Sequence, residues 1–170
     1  WMGNDVNGKE LAAHHWRPDA EGERQANYNY AWYNNPYFAT YELTQVHDRN
    51  VTNGQVKLNW DIMPGLSIQG RAAGRLEDTF EDMKSPKSYM NYGDSRNGDY
   101  KTWNTDQLDI NTDVLVTYTR AFNKNFALTV NAGSSLYYRQ IRSEYQATDG
   151  LIVPGVYNMG NSLNPVSATN

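Results

Sequence analysis

Cysteine is missing from all 170 residues, so neither a disulfide nor a thiolate metal site can form. That fits a reducing compartment, or an envelope protein that does without disulfides. No run of apolar side chains approaches the ~20 residues that a membrane-spanning helix needs. A mean hydropathy of -0.80 with 39% hydrophobic residues excludes such a helix but not a β-barrel, in which only alternate residues face lipid. Basic residues are outnumbered, 15 against 19 acidic, for a net charge of -4. No Lys/Arg stripe exists to neutralise phosphates, which argues against a nucleic-acid partner. His14, His15 and His47 offer no ligand spacing, and the first two point to opposite sides of an extended chain. The run Asp94-Ser95-Arg96-Asn97-Gly98-Asp99 lacks the alternating oxygen ligands of a calcium loop and reads as a solvated turn. No Gly-rich phosphate loop, nucleophile elbow or carboxylate pair set across a bond is visible, so no catalytic, cofactor or metal residue is expected. The start at Trp1 and the polar end read as a piece cut from a longer polypeptide.

What is present is alternation. Val56, Leu58, Trp60 and Ile62 are apolar, and Gln55, Lys57, Asn59 and Asp61 between them are polar. After Met63-Pro64-Gly65, a turn with Pro to fix φ and Gly to accept a positive φ, the same parity resumes. Leu66, Ile68, Gly70, Ala72, Gly74 and Leu76 oppose Ser67, Gln69, Arg71, Arg75 and Glu77. Pairing Ile62 with Leu66 serves both arms at once. A second pair of strands follows, with Leu108, Ile110, Val114, Val116 and Tyr118 on one face and Asp109, Asn111, Asp113 and Thr117 on the other, Leu115 being the exception. A tight connection over 120–124 then leads to Phe126, Leu128 and Val130, with Tyr118 expected opposite Phe126.

The pattern predicts strands at about 51–62, 66–77, 107–119 and 125–138, with long loops at 1–50, 78–106 and 139–170. The aromatic residues, 13 Tyr, 5 Trp and 4 Phe, gather largely in those loops. Tyr28, Tyr30, Trp32, Tyr33, Tyr37 and Phe38 read either as a loop packed on itself or an interfacial girdle, or as a surface that stacks on glycans or meets a partner.

A two-faced hairpin needs a cover for its apolar side. A second protein sheet would give a secreted glycan-binding β-sandwich; lipid would give a transmembrane barrel. Short turns at one end and long loops at the other favour the barrel, with short periplasmic turns and long extracellular loops. So do Trp60, Tyr118 and Phe126 close to the turns, where an aromatic girdle falls. On this reading Leu58, Trp60, Ile68, Val114, Tyr118 and Phe126 face lipid, and Gln69, Arg71, Arg75, Asp109, Asn111 and Asp113 face a polar lumen. Even the smallest barrel needs ~8 strands, so the chain supplies only part of one.

Asn35-Pro36-Tyr37-Phe38, Asp48-Arg49-Asn50, Leu66-Ser67-Ile68-Gln69-Gly70-Arg71, Asn131-Ala132-Gly133 and the run from Leu151-Ile152-Val153-Pro154-Gly155 to Asn161-Ser162 carry a resemblance. In order and spacing, over most of 34–164, they resemble barrel segments of the SusC/RagA family of TonB-dependent outer-membrane transporters. The resemblance implies a slice of a 22-stranded barrel in the outer membrane of Bacteroidetes, its plug domain lying outside this sequence. It also implies a SusD-like lipoprotein partner, energy from the TonB complex, and an oligosaccharide or peptide substrate. No catalytic residue is carried over with it.

Overall fold

A computed structural model describes residues 6–27, 29, 33–90 and 97–169. It is β-rich: one five-stranded antiparallel sheet in the order β1-β2-β3-β4-β5, each strand hydrogen-bonded to its neighbour in sequence. The strands are β1 (Thr44–Met63), β2 (Leu66–Ser85), β3 (Asp99–Asn123), β4 (Phe126–Leu151) and β5 (Ser162–Thr169). Two short helices, α1 (Gly8–Ala13) and α2 (Pro36–Glu42), precede them. Among the described residues no helix is long and apolar enough to cross a membrane.

These bounds correct the expected loops. Residues 1–50 hold both helices and the start of β1, and most of 78–106 and 139–170 is strand, including all of β5. The alternation that marks a two-faced strand stops near Leu76 and Tyr138, yet backbone pairing continues past both. Pairing needs only N–H and C=O groups, whereas alternation also needs two chemically different surroundings.

The chain divides into two compact units, Trp1–Asp48 with Phe80–Asn104 and Ser143–Asn170, and Arg49–Thr79 with Thr105–Arg142. The first unit is knotted by amides. Asn35 is fully buried, accepts from Tyr37 N at 2.9 Å to cap α2, and donates to the Leu11 and Ala26 carbonyls at 3.0 and 2.8 Å. Gln25, 2% exposed, accepts from Asn35 N at 2.7 Å and donates to Asn34 Oδ1 and the Ser88 carbonyl. The Phe38 ring is buried edge-on against Trp16, centroids 4.8 Å apart. Farther along, Asn161 donates to the Val153 and Val156 carbonyls and accepts from Val153 N, closing the connection between β4 and β5.

The second unit holds both hairpins. Pro64 and Gly65 form the first turn, with Gly65 at φ +86, and Thr119 N donates to the Gly65 carbonyl at 2.7 Å. In the second hairpin the expected register is corrected. The turn is Lys124-Asn125, and Phe122 rather than Tyr118 meets Phe126, ring centroids 5.6 Å apart. The same offset brings Thr119 to Thr129 at 3.1 Å, Thr117 to Asn131 at 2.9 Å and Asp113 to Ser135 at 2.6 Å. A shift of four residues is even, so every side chain keeps the face assigned to it. Leu115, the break in the alternation, lies over Gly133: a Cβ there would sit 3.2 Å from Leu115 Cδ1 and 2.8 Å from the Val114 carbonyl oxygen. The bulky side chain is accommodated because its neighbour has none.

Candidate functional site

The two faces of the second unit differ in chemistry as sharply as they do in parity. On the odd face four arginines are partnered with carboxylates, three of them across strands. Arg49 Nε donates to Glu77 at 2.5 Å, and Arg75 reaches the same carboxylate. Arg71 and Ser135 share Asp113, at 2.7 and 2.6 Å. Asp109 accepts from Arg139 at 2.7 Å, Gln107 at 2.7 Å and Tyr137 at 2.8 Å. These carboxylates are half-buried by their partners although the face is open, as is usual where Arg forks hold anions in place. Between Asn53, Gln55, Ala73, Arg75, Asp109 and Asn111 the face hollows to about 410 Å³.

The even face is bare. Val56 is 73% exposed, Leu58 67%, Trp60 63% and Leu136 72%, and Val114, Tyr118, Phe122, Phe126, Leu128 and Val130 are exposed too. Full coverage of one such side chain is worth roughly 1.5–3 kcal/mol. Away from the turns this apolar band stops at a row of polar even positions. Asn50, Thr52, Asp78, Asp106, Gln140 and Arg142 border a hollow of about 390 Å³, and Gln140, with its amide turned to the guanidinium, accepts from Arg142 at 3.2 Å.

Of the residues expected to line a lumen, Arg71 and Asp113 pair with each other, Asp109 joins the Arg139 cluster, and Arg75 shares Glu77 with Arg49. Asn111 faces Ser135 at 3.4 Å, and Gln69 is half-buried beside Arg71 in sequence parity but outside these clusters. Leu58, Trp60, Val114, Tyr118 and Phe126 are on the exposed apolar face, with Ile68 half-buried among them. The aromatic loop residues separate. Tyr28, Tyr30 and Trp32 lie outside the described residues; Tyr33 is 38% exposed. Tyr37 stacks obliquely on Tyr41, centroids 6.3 Å apart, and Tyr41 in turn meets the His15 ring edge-on at 5.4 Å. Phe38 has no exposed surface and is core, which corrects its place among the contact residues.

Three odd-face contributors escaped the pattern reading: Arg49, Tyr137 and Arg139. Their signal was parity: Arg49 and Arg139 continue the odd series beyond the point where the even series stops being apolar, and Tyr137 lies just inside that point, between Leu136 and Tyr138. In the first unit, the Glu42 carboxylate accepts from both Trp16 Nε1 and His15 Nε2 at 2.9 Å. Burial, with the Asp82 carboxylate 3.3 Å away, pushes the Tyr100 phenol above its usual range, and burial pushes Tyr157 the same way. Arg17, bonded to Asp19 at 2.7 and 2.9 Å, holds that carboxyl below its usual range. Among the described residues no group of three or more His, Cys, Asp or Glu could hold a metal ion. Comparison with known protein families and with curated proteins finds no match to this chain.

Proposed function

We propose that the sheet is a stretch of the wall of a large outer-membrane β-barrel. In that wall the even residues meet acyl chains and the odd residues line a hydrated interior. The bare even face carries this reading, since it is a contiguous apolar surface far larger than a protein surface in water normally leaves open. Its height agrees: from Leu66 to Leu76, at ~3.3 Å per residue and a tilt of ~40°, the band rises roughly 25 Å, the apolar height of such barrels. The glycan-binding sandwich would require a second layer over the same side chains, and Trp60 at 63% exposed has none among the described residues.

Together with the motif resemblance, the two-faced sheet favours a TonB-dependent transporter of the SusC/RagA type. It would take up oligosaccharides or peptides across the outer membrane with a SusD-like lipoprotein. The paired charges of the odd face suit a solute path, because Glu77, Asp109 and Asp113 are already neutralised locally and a hydrated neutral solute meets hydroxyls, amides and closed ion pairs there. The test is fractionation of the intact polypeptide that carries this sheet. Extraction only in detergent, with faster gel migration unheated than boiled, is expected; recovery in buffer with no heat-dependent shift overturns the assignment.

A further inference from the structure

Among the even positions 56–62, 66–76, 108–122 and 126–138 of the apolar face, a single one is charged: Arg120. Arg49, Arg71, Arg75 and Arg139 all close on carboxylates across the odd face. Among the described residues no carboxylate pairs with Arg120, and its guanidinium lies 5.4 Å from the centroid of the Phe122 ring. The offset of the second hairpin puts Leu128 opposite it, and the bond from Thr119 N to the Gly65 carbonyl puts it level with the Pro64-Gly65 turn. Neither neighbour offers an acceptor side chain.

That height matters. At Arg120 the first hairpin has already turned, while the second continues through Phe122 to Lys124 and back to Phe126, both rings more than half exposed. A cation flanked by open aromatic rings, at the end of an apolar band, matches the boundary between acyl chains and headgroups. We propose that Arg120 holds the phosphate of an anionic phospholipid in the leaflet at the turn end of the sheet. A guanidinium presents its N–H groups as a fork to phosphate oxygens and keeps its charge when water is excluded, while Phe122 and Leu128 lie against the glycerol and upper acyl carbons. Lys124, in the turn, adds a second positive charge for the headgroup layer. A lipid phosphate fits better than a free one, because a soluble anion would leave both Phe rings and Leu128 in water.

The inference rests on the membrane placement proposed above, and the test separates the two. The full-length, membrane-extracted protein is equilibrated in detergent with equal amounts of phosphatidylglycerol and phosphatidylcholine, and retained lipids are counted by native mass spectrometry. Wild type is expected to prefer the anionic lipid about fivefold, the ratio that ~1 kcal/mol per basic side chain at an anionic surface corresponds to. Arg120→Gln should lose most of that preference, Arg120→Lys part of it, and Lys57→Gln, on the odd face, none. A protein that inserts normally yet keeps its full preference in Arg120→Gln overturns the inference and leaves the barrel standing. Displacement of the lipid by an equal concentration of inorganic phosphate also overturns it. A protein that neither inserts nor retains phospholipid overturns both.

Discussion

Thr119 donates its backbone N–H to the carbonyl of Gly65 across 2.7 Å, so the turn of the first hairpin is fastened to the strand beyond it. Gly65 has φ +86, and a Cβ added to it would collide with the Thr119 carbonyl oxygen. Gly65→Ala therefore meets two obstacles, the left-handed backbone and a backbone atom that cannot swing away. The first alone costs about 1–2 kcal/mol. Gly155→Ala isolates that first cost, because Gly155 has φ +78 with open space around it. Unfolding midpoints should rank wild type above Gly155→Ala above Gly65→Ala; equal losses in the two variants would show that the fastening to Thr119 is slack.

Asn35 gives the corresponding prediction for the first unit. Replacing it with Ala removes the cap on Tyr37 N, worth about 1 kcal/mol, and leaves the Leu11 and Ala26 carbonyls without their donor, at roughly 1–3 kcal/mol for each that stays dry. A loss on the order of 3 kcal/mol in a urea titration is expected for Asn35→Ala. Asn35→Asp keeps the cap oxygen but not the two donations, so it should recover no more than the capping part. Full recovery by Asp would mean that the amide donors are replaced by water.

How much of this could be read in the residues follows from what each feature depends on. The faces of 55–77 and 107–138 were legible because alternation is local and survives any even slip. For the same reason the second register was not: Tyr118 opposite Phe126 and Phe122 opposite Phe126 satisfy the pattern equally, and the choice falls to the Lys124-Asn125 turn, where Asn125 N bonds the Asn123 side chain at 2.9 Å. Helices α1 and α2, at 6 and 7 residues, are too short to display a period, though Asn7, Asn35 and Pro36 stand where caps and first turns place them. The outer halves of β3 and β4 were read as loop because distant groups hold them. Tyr100 N donates to Thr148 Oγ1 at 2.8 Å, and Gly150 N to Asp99 at 3.0 Å.

Tyr100 also sets a pH dependence. Its phenol is raised above 10.0, by burial first and then by the Asp82 carboxylate. The folded chain thus keeps a proton that the unfolded chain releases. The contribution to stability is complete below pH ~10 and falls as pH rises from there through the raised value. Unfolding midpoints between pH 9 and 11.5 should drop, and Tyr100→Phe should flatten part of that drop while costing little at neutral pH. A variant whose profile stays parallel to wild type over the whole range would assign the drop to other groups.

The sharpest demand falls on Leu58 and Asn59, adjacent residues on opposite faces of β1. Both are exposed, so an Arg at either site would be nearly neutral if water covered both faces. With lipid over the even face, the two substitutions part company. Arg at 58 would stand among acyl chains at a cost of ~2–4 kcal/mol near the midplane, whereas Arg at 59 would enter a hydrated interior already furnished with paired guanidinium groups. Refolding the intact protein into phosphatidylcholine vesicles from guanidinium chloride measures the difference. Leu58→Arg should lower the folding free energy by that amount, and Asn59→Arg should stay within ~0.5 kcal/mol of wild type. Val114→Arg, two strands away with the same parity, should repeat the loss. Equal tolerance at 58 and 59 would mean that no acyl chains lie on the even side, and the barrel would have to be given up.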